Sequence, residues 1–204
     1  MTKFCLFAAI LAASVLCTSA SAKPYSTLSP PVPDAPDVVE FFSFYCGPCY
    51  LFTDQYPVVA GINRILPAGN SVTRYHVSAM GKLGHELSEA WAVATVTGVT
   101  DLVEHRLFIA VQRDRSINKL DDIYAIFSEA GISPEAYNSA RHSMMTRAFI
   151  ARQEAMVSAF RVSGTPSFYV KGRYLIDNSG VKAKTPEGYV AAYAGLVSEL
   201  LKNK

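Results

Sequence analysis

The stretch Cys46-Gly47-Pro48-Cys49 constrains this chain more than any other. It follows directly on the apolar run Val38-Val39-Glu40-Phe41-Phe42-Ser43-Phe44-Tyr45 and runs on into a helical pattern. A strand that ends in Cys-x-x-Cys at the start of a helix is the layout of a redox dithiol. The thiolate is the reactive form of cysteine, and a helix N-terminus favours negative charge. Cys46 is placed to attack a disulfide, and Cys49 is near enough to resolve the mixed disulfide that results. A zinc half-site would need two further ligands, and the sequence has no second Cys-x-x-Cys and no close pair of histidines to provide them. No metal site is expected.

The rest of the cysteine usage agrees with a redox role. Met1-Thr2-Lys3, the apolar run from Phe4 to Leu16 and the small residues Thr18-Ser19-Ala20-Ser21-Ala22 read as a secretory signal over residues 1–22, cleaved before Lys23. The apolar run falls short of the ~20 residues that span a bilayer. Cys5 and Cys17 leave with this segment, so the exported protein keeps Cys46 and Cys49 and no thiol to mispair. About 180 of the 204 residues remain, enough for one domain with a sizeable core or a domain with an insertion. Removing Lys3 from 19 Lys+Arg leaves 18 against 17 Asp+Glu, a balance that gives no support for nucleic-acid binding.

Along the chain, the proline-rich stretch from Lys23 to Asp37 predicts an extended lead-in with at most a short edge strand. Val38–Ser43 reads as a buried strand. Cys49 to about Leu66 reads as helix with a kink at Pro57, and Ser71–Val77 alternates like a strand. From Leu83 to about Phe160 apolar residues recur at helical spacing. Leu87, Ala90, Trp91 and Ala94 mark one helix; Leu102, His105, Arg106 and Ile109 another; Asp121, Ile123, Ile126 and Phe127 a third. Ser133-Pro134-Glu135 has the form of an N-cap with proline at N1. A long helix runs through Met144, Met145, Phe149 and Met156, whose apolar side chains are expected in the core. Ser167–Val170 and Arg173–Ile176 form a hairpin about Lys171-Gly172, and Pro186 starts a last amphipathic helix. That order predicts an α/β fold: a thioredoxin-like sheet over residues 23–78 and 161–204, interrupted by a helical domain over 79–160.

The chain resembles the DsbA family of periplasmic thiol–disulfide oxidoreductases over almost its whole length after residue 35. The resemblance is carried by Glu40-Phe41-Phe42-Ser43-Phe44-Tyr45-Cys46, Tyr75-His76-Val77, Met80-Gly81 with Leu83-Gly84, Ala90-Trp91-Ala92-Val93-Ala94, Ala130-Gly131-Ile132 and Gly164-Thr165-Pro166. It implies a thioredoxin fold with an inserted helical domain, a redox-active Cys46–Cys49 disulfide in place of any cofactor, Cys46 as the attacking residue, and a cis Thr165–Pro166 peptide facing the dithiol. It implies that Glu40 lies beneath the dithiol and helps proton transfer, with Arg74 at its partner position. It implies substrate proteins with free cysteines, met as they fold after export, and a DsbB-like quinone-linked membrane oxidase that restores the disulfide. Two departures bear on redox poise. Gly47-Pro48 stands where the family's best-known members carry Pro-His, and Thr165 where valine is common. Without an imidazolium in the loop the Cys46 thiolate is less stabilised, which makes a weaker oxidant.

Each of these residues also has a plainer role. Pro48 suits the first turn of any helix. Pro166 suits strand entry, although a cis-proline also exposes neighbouring backbone for pairing with a substrate peptide. Glu40, an acid inside an apolar strand, must be paired or functional, because an unpartnered buried charge is costly. The four histidines lack hydrolase or metal spacing and read as structural or solvated. The leading expectation is a monomeric periplasmic dithiol oxidase in which Cys46, Cys49, Pro166 and Glu40 carry the exchange and Gly47, Pro48 and Thr165 meet substrate. A reductase or isomerase of the same fold is the alternative, favoured by Gly47-Pro48 and Thr165. A holdase-like binding module would have no use for both cysteines.

Overall fold

A computed structural model describes residues 23–203; the segment expected to be a signal, residues 1–22, lies outside the described residues. Five strands, β1 (Tyr25–Thr27), β2 (Val38–Phe42), β3 (Thr73–His76), β4 (Ser167–Val170) and β5 (Tyr174–Ile176), form one sheet in the order β1-β5-β4-β2-β3. β3 runs parallel to β2, and the other neighbouring pairs are antiparallel. β2 lies between β4 and β3 and is buried along its whole length, as expected of a near-continuous apolar strand covered on both faces. Its side chains alternate. Val39 and Phe41 pack with Tyr75, Met156, Phe160 and Tyr169 on one face. On the other, Val38 joins a cluster with Val58, Ile62 and Val197, and Phe42 joins one with Cys46, Cys49, Trp91 and Phe108. Glu40 stands between Val38 and Phe42, where those two clusters meet.

Helices α1 (Gly47–Asp54) and α2 (Val58–Asn63) connect β2 to β3. Pro57 does more than kink this stretch. It lacks the N–H that would continue the ladder, and α1 and α2 are separate helices. α3 (Gly84–Thr97), α4 (Thr100–Phe108), α5 (Leu120–Glu129), α6 (Pro134–Arg141) and α7 (Met144–Ala159) lie between β3 and β4, and α8 (Pro186–Lys202) closes the chain. Ser133 and Thr185 cap α6 and α8 through their side-chain oxygens, each with proline in the first turn. Lys171 and Gly172 both take positive φ, at 54° and 62°, and the Arg173 N–H donates to the Val170 carbonyl at 3.0 Å. Val170 pairs with Tyr174, so Arg173 belongs to the loop and the strand starts one residue later than the sequence indicates.

Two helical faces differ from the sequence reading. On α4 the buried residues are Val103, Leu107 and Phe108, whereas Leu102, His105 and Arg106 are exposed. The run offers two apolar stripes one position apart, and packing against α5 and the sheet selects the second. On α7, Met144 and Met145 are exposed instead of lying in the core; the inward stripe there holds Thr146, Gln153 and Met156. Gln153 is turned inward because its Oε1 accepts the His76 backbone N–H at 2.8 Å, a donor at the end of β3.

Candidate active site

The site is built at the end of β2. Ser43 accepts the Cys46 N–H on its carbonyl at 3.0 Å and the Tyr45 N–H on Oγ at 3.2 Å, which turns the chain sharply out of the sheet. Phe44, inside this turn, is held from both sides: its N–H donates to His76 Nε2 at 3.0 Å, and its carbonyl accepts from Gln112 Nε2 at 2.6 Å. Gln112 belongs to a π-helical turn, Ile109–Arg113, that extends α4; such turns recur beside functional sites. His76 is buried, stacked on Phe44 at 5.1 Å between ring centroids, with Nδ1 2.7 Å from Ser88 Oγ.

α1 starts at Gly47, two residues earlier than its apolar pattern indicates, because Cys46 is its N-cap. The Cys46 sulfur accepts the Cys49 N–H at 3.1 Å, where a hydroxyl or carboxylate oxygen usually sits. Pro48 occupies the first turn and is exposed. Cys46 and Cys49 are joined by a disulfide with Cα atoms 5.2 Å apart, inside the ordinary range, and in this state neither sulfur is available to a metal. Cys46 and Cys49 are both buried.

Opposite the disulfide lies the start of β4. The Thr165–Pro166 peptide is cis, as is Ser29–Pro30 in the lead-in. The Thr165 carbonyl oxygen lies 3.2 Å from Cys46 Sγ, and Thr165 Oγ1 donates to the Met80 sulfur at 3.5 Å. The Pro166 carbonyl accepts from Asn178 Nδ2 at 2.8 Å, and Asn178 is in turn gripped by the Tyr193 hydroxyl at 2.7 Å and the Tyr189 hydroxyl at 2.9 Å. α8 thereby fixes the segment facing the sulfurs.

Glu40 pairs with Arg74, its neighbour across the parallel β2–β3 register, at 2.5 Å. Burial pushes the Glu40 carboxyl above its ordinary value, the Arg74 charge and hydrogen bond pull it back, and Glu104 pushes it up again. Cys46, Cys49, Thr165 and Pro166 thus come together, Gly47 and Pro48 complete the loop, and Glu40 is held in its ion pair with Arg74. Sequence reasoning missed Gln112, Glu104 and Asn178, and took His76 only as structural or solvated. Nothing local marks them: each acts on a backbone group or charge 12 to 68 residues away, whereas the Glu40–Arg74 partnership was implied by the family resemblance.

A parallel-and-antiparallel sheet with an N-capping Cys-x-x-Cys facing a cis-proline defines a thioredoxin-fold thiol:disulfide oxidoreductase whose redox group is its own disulfide. Residues 37–185 match the model of the DSBA-like thioredoxin domain family. The chain is 41% identical over 200 residues, 95% of its own length and 97% of the relative's, to the thiol:disulfide interchange protein DsbA of Dickeya dadantii. It is similar to the crystal structure of the DsbA disulfide interchange protein from Klebsiella pneumoniae, with a TM-score of 0.86 and 42% identity, covering 89% of this chain and 97% of that one. It is likewise similar to Proteus mirabilis DsbA in complex with a non-covalently bound peptide, PWATCDS, with a TM-score of 0.85 and 40% identity, covering 90% and 98%. The chain belongs to the DSBA-like thioredoxin domain family.

Proposed function

We propose that this protein oxidises dithiols of exported proteins. The observation that carries the reading is the Cys46 sulfur at the N-cap of α1, accepting the Cys49 N–H and facing the Thr165 carbonyl. A substrate thiolate attacks Cys46 Sγ; the Cys46–Cys49 bond breaks and its electron pair goes to Cys49. A second substrate thiolate attacks the substrate sulfur of the mixed disulfide. Cys46 leaves as a thiolate into the helix N-terminus, where the Cys49 N–H and the helix dipole stabilise it. The substrate departs with a new disulfide, its two electrons left on Cys46 and Cys49.

In this reading Cys46 is the sulfur that exchanges with substrate; once reduced, its thiolate attacks the recycling partner's disulfide and Cys49 resolves the mixed disulfide. Pro166 with Thr165 offers backbone against which a substrate peptide lies; the peptide held by the Proteus relative supports it. Gly47 and Pro48 border the approach to Cys46, and Glu40 carries the proton for Cys49. Residues 1–22 direct the chain to the periplasm and are removed. Residues 23–78 and 161–204 form the thioredoxin-like domain and 79–160 the inserted helical one, in a monomer recycled by a DsbB-like quinone-linked membrane oxidase. Gly47-Pro48 and Thr165 support the opposite direction of exchange, a reductase or isomerase.

Equilibration with a series of glutathione redox buffers separates the directions, and a reduced peptide dithiol tests catalysis. The oxidised protein is expected to convert the peptide to its disulfide, Cys46→Ser to lose turnover while still binding peptide, and iodoacetamide to label Cys46 before Cys49 in the reduced protein. A Cys46→Ser variant that keeps turnover would overturn the assignment. Net reduction of peptide disulfides across the buffer series would make the protein a reductase.

A further inference from the structure

The Glu40–Arg74 pair is not closed on itself. Arg74 offers Nε to Glu40 at 2.5 Å and Nη1 to Glu104 of α4 at 2.7 Å, so one guanidinium faces two carboxylates. Its Cζ lies 4.5 Å from the centre of the Phe42 ring and 5.2 Å from that of Trp91, and Trp91 Nε1 donates to the Arg74 carbonyl at 3.0 Å. The cation is pinned. It also keeps its proton: burial works against the charge, and the two carboxylates outweigh it. Any change of protonation in this cluster falls on a carboxylate.

The two acids are not equivalent. Glu40 is 1% exposed and Glu104 18%. Thr53 Oγ1 lies 3.1 Å from Glu104 Oε1 and 3.4 Å from the Cys49 carbonyl oxygen. Ionised Glu104 takes the single hydroxyl proton of Thr53 and so bears on α1 one turn past Cys49. A cleft of 540 Å³, lined by Thr53, Arg74, Trp91, Asp101 and Glu104, brings solvent to this point. Among the described residues, Arg74 and Glu104 are the charges that act on Glu40. Phe168 is its partner on β4. Tyr193 of α8 is held un-ionised by burial first and then by the charges about it, Glu40 among them. The disulfide at α1 carries no charge until reduced.

We propose that Glu104 is a positioning residue of the exchange reaction: it is the standing counter-ion of Arg74, and this leaves Glu40 free to give and take the proton that Cys49 needs as it alternates between disulfide and thiol. The inference rests on the reading of Glu40 as proton carrier. When a substrate thiolate opens the disulfide, the bond pair goes to Cys49 and the Glu40 proton neutralises it. Glu40 is then ionised against Arg74, and a solvent proton restores it. Reoxidation by a disulfide or quinone-linked partner returns the Cys49 proton by the same path. Without Glu104, Arg74 has Glu40 as its one counter-ion and holds it ionised.

Glu104→Gln removes the charge and keeps an acceptor for Arg74 and Thr53. The wild type, Glu104→Gln, Glu104→Asp and Glu40→Gln are compared by two readouts. One is the infrared carboxyl band of Glu40, identified by its loss in Glu40→Gln. The other is the pH profile of reduction by dithiothreitol, followed through Trp91, the one tryptophan of the chain. In Glu104→Gln the Glu40 titration is expected to move to lower pH and the acid limb of the rate profile to move with it; Glu104→Asp returns both towards the wild type. If Glu104→Gln superimposes on the wild type in both while Glu40→Gln changes the profile, the counter-ion role of Glu104 is wrong and the Glu40 reading stands. If Glu40→Gln leaves the rate profile unchanged, the Glu40 reading itself falls.

Discussion

The Phe44 amide can only donate, so the His76 Nε2 that receives it carries a lone pair, and the ring's one proton is on Nδ1, facing Ser88. His76 is therefore neutral, and protonating it breaks the bond that holds the turn before Cys46. Burial first, and then the nearby Arg74 charge, push it down from 6.5 to about 3. A histidine depressed in the folded state binds its proton earlier in the unfolded chain, so folding is penalised as pH falls. Its stabilisation is complete above about 6.5 and is lost progressively towards about 3. At about 1.4 kcal/mol per unit the loss amounts to a few kcal/mol. Denaturant titrations of the oxidised protein across this window should show a steeper decline for the wild type than for His76→Gln. Parallel declines would place the acid sensitivity elsewhere, for instance on carboxylates such as Asp177, which Ser179 hydrogen bonds hold below the usual carboxylate range.

At the scale of elements, α2 and α8 cross closely enough that a Cβ on Gly61 would run into the Val190 side chain. Valine in a helix has one strongly preferred rotamer, so Val190 cannot swing aside cheaply. The crossing matters because α8 carries Tyr189 and Tyr193, which hold Asn178 against the Pro166 carbonyl. Gly61→Ala is expected to destabilise the protein by about 1–3 kcal/mol through overpacking. Adding Val190→Ala should recover part of the loss, giving a favourable coupling energy in a double-mutant cycle on denaturant stability. Additive losses would mean that the helices separate without strain. The same crossing explains why α8 reads clearly in the sequence: Val190, Tyr193, Val197 and Leu200 keep helical spacing because they face a helix and a sheet along their whole length. α4 offers Leu102 and Val103 side by side, and its local pattern could not choose between them.

Over the whole molecule, the helices between β3 and β4 do not have a core to themselves. Trp91, Leu107, Phe108, Phe127 and Tyr137 share one apolar cluster with Phe42, Phe44, Cys46 and Cys49. Melting the helices would strip the active-site turn of its packing, so one cooperative unfolding step is expected, with far-UV and near-UV signals coinciding in denaturant. Two separated transitions would show that the helical unit folds alone. The amino-acid sequence alone determined what short-range chemistry can encode: the strand running into Cys46 and Cys49, the capped start of α6, the proline start of α8, a turn at Lys171-Gly172, and through Gly164-Thr165-Pro166 the likeness to the family. The cis Thr165–Pro166 bond came from that likeness, since local sequence alone does not specify the isomer. Only the tertiary structure decided which stripe of α4 faces inward and that Met144 and Met145 face out. It alone brought Gln112, His76, Glu104 and Asn178 to a backbone carbonyl, an amide, a guanidinium and the cis-proline. The reason is distance along the chain: Gln112 and Phe44 are 68 residues apart, Cys46 and Thr165 119, and a hydrogen bond across such a span leaves no period in the sequence to read.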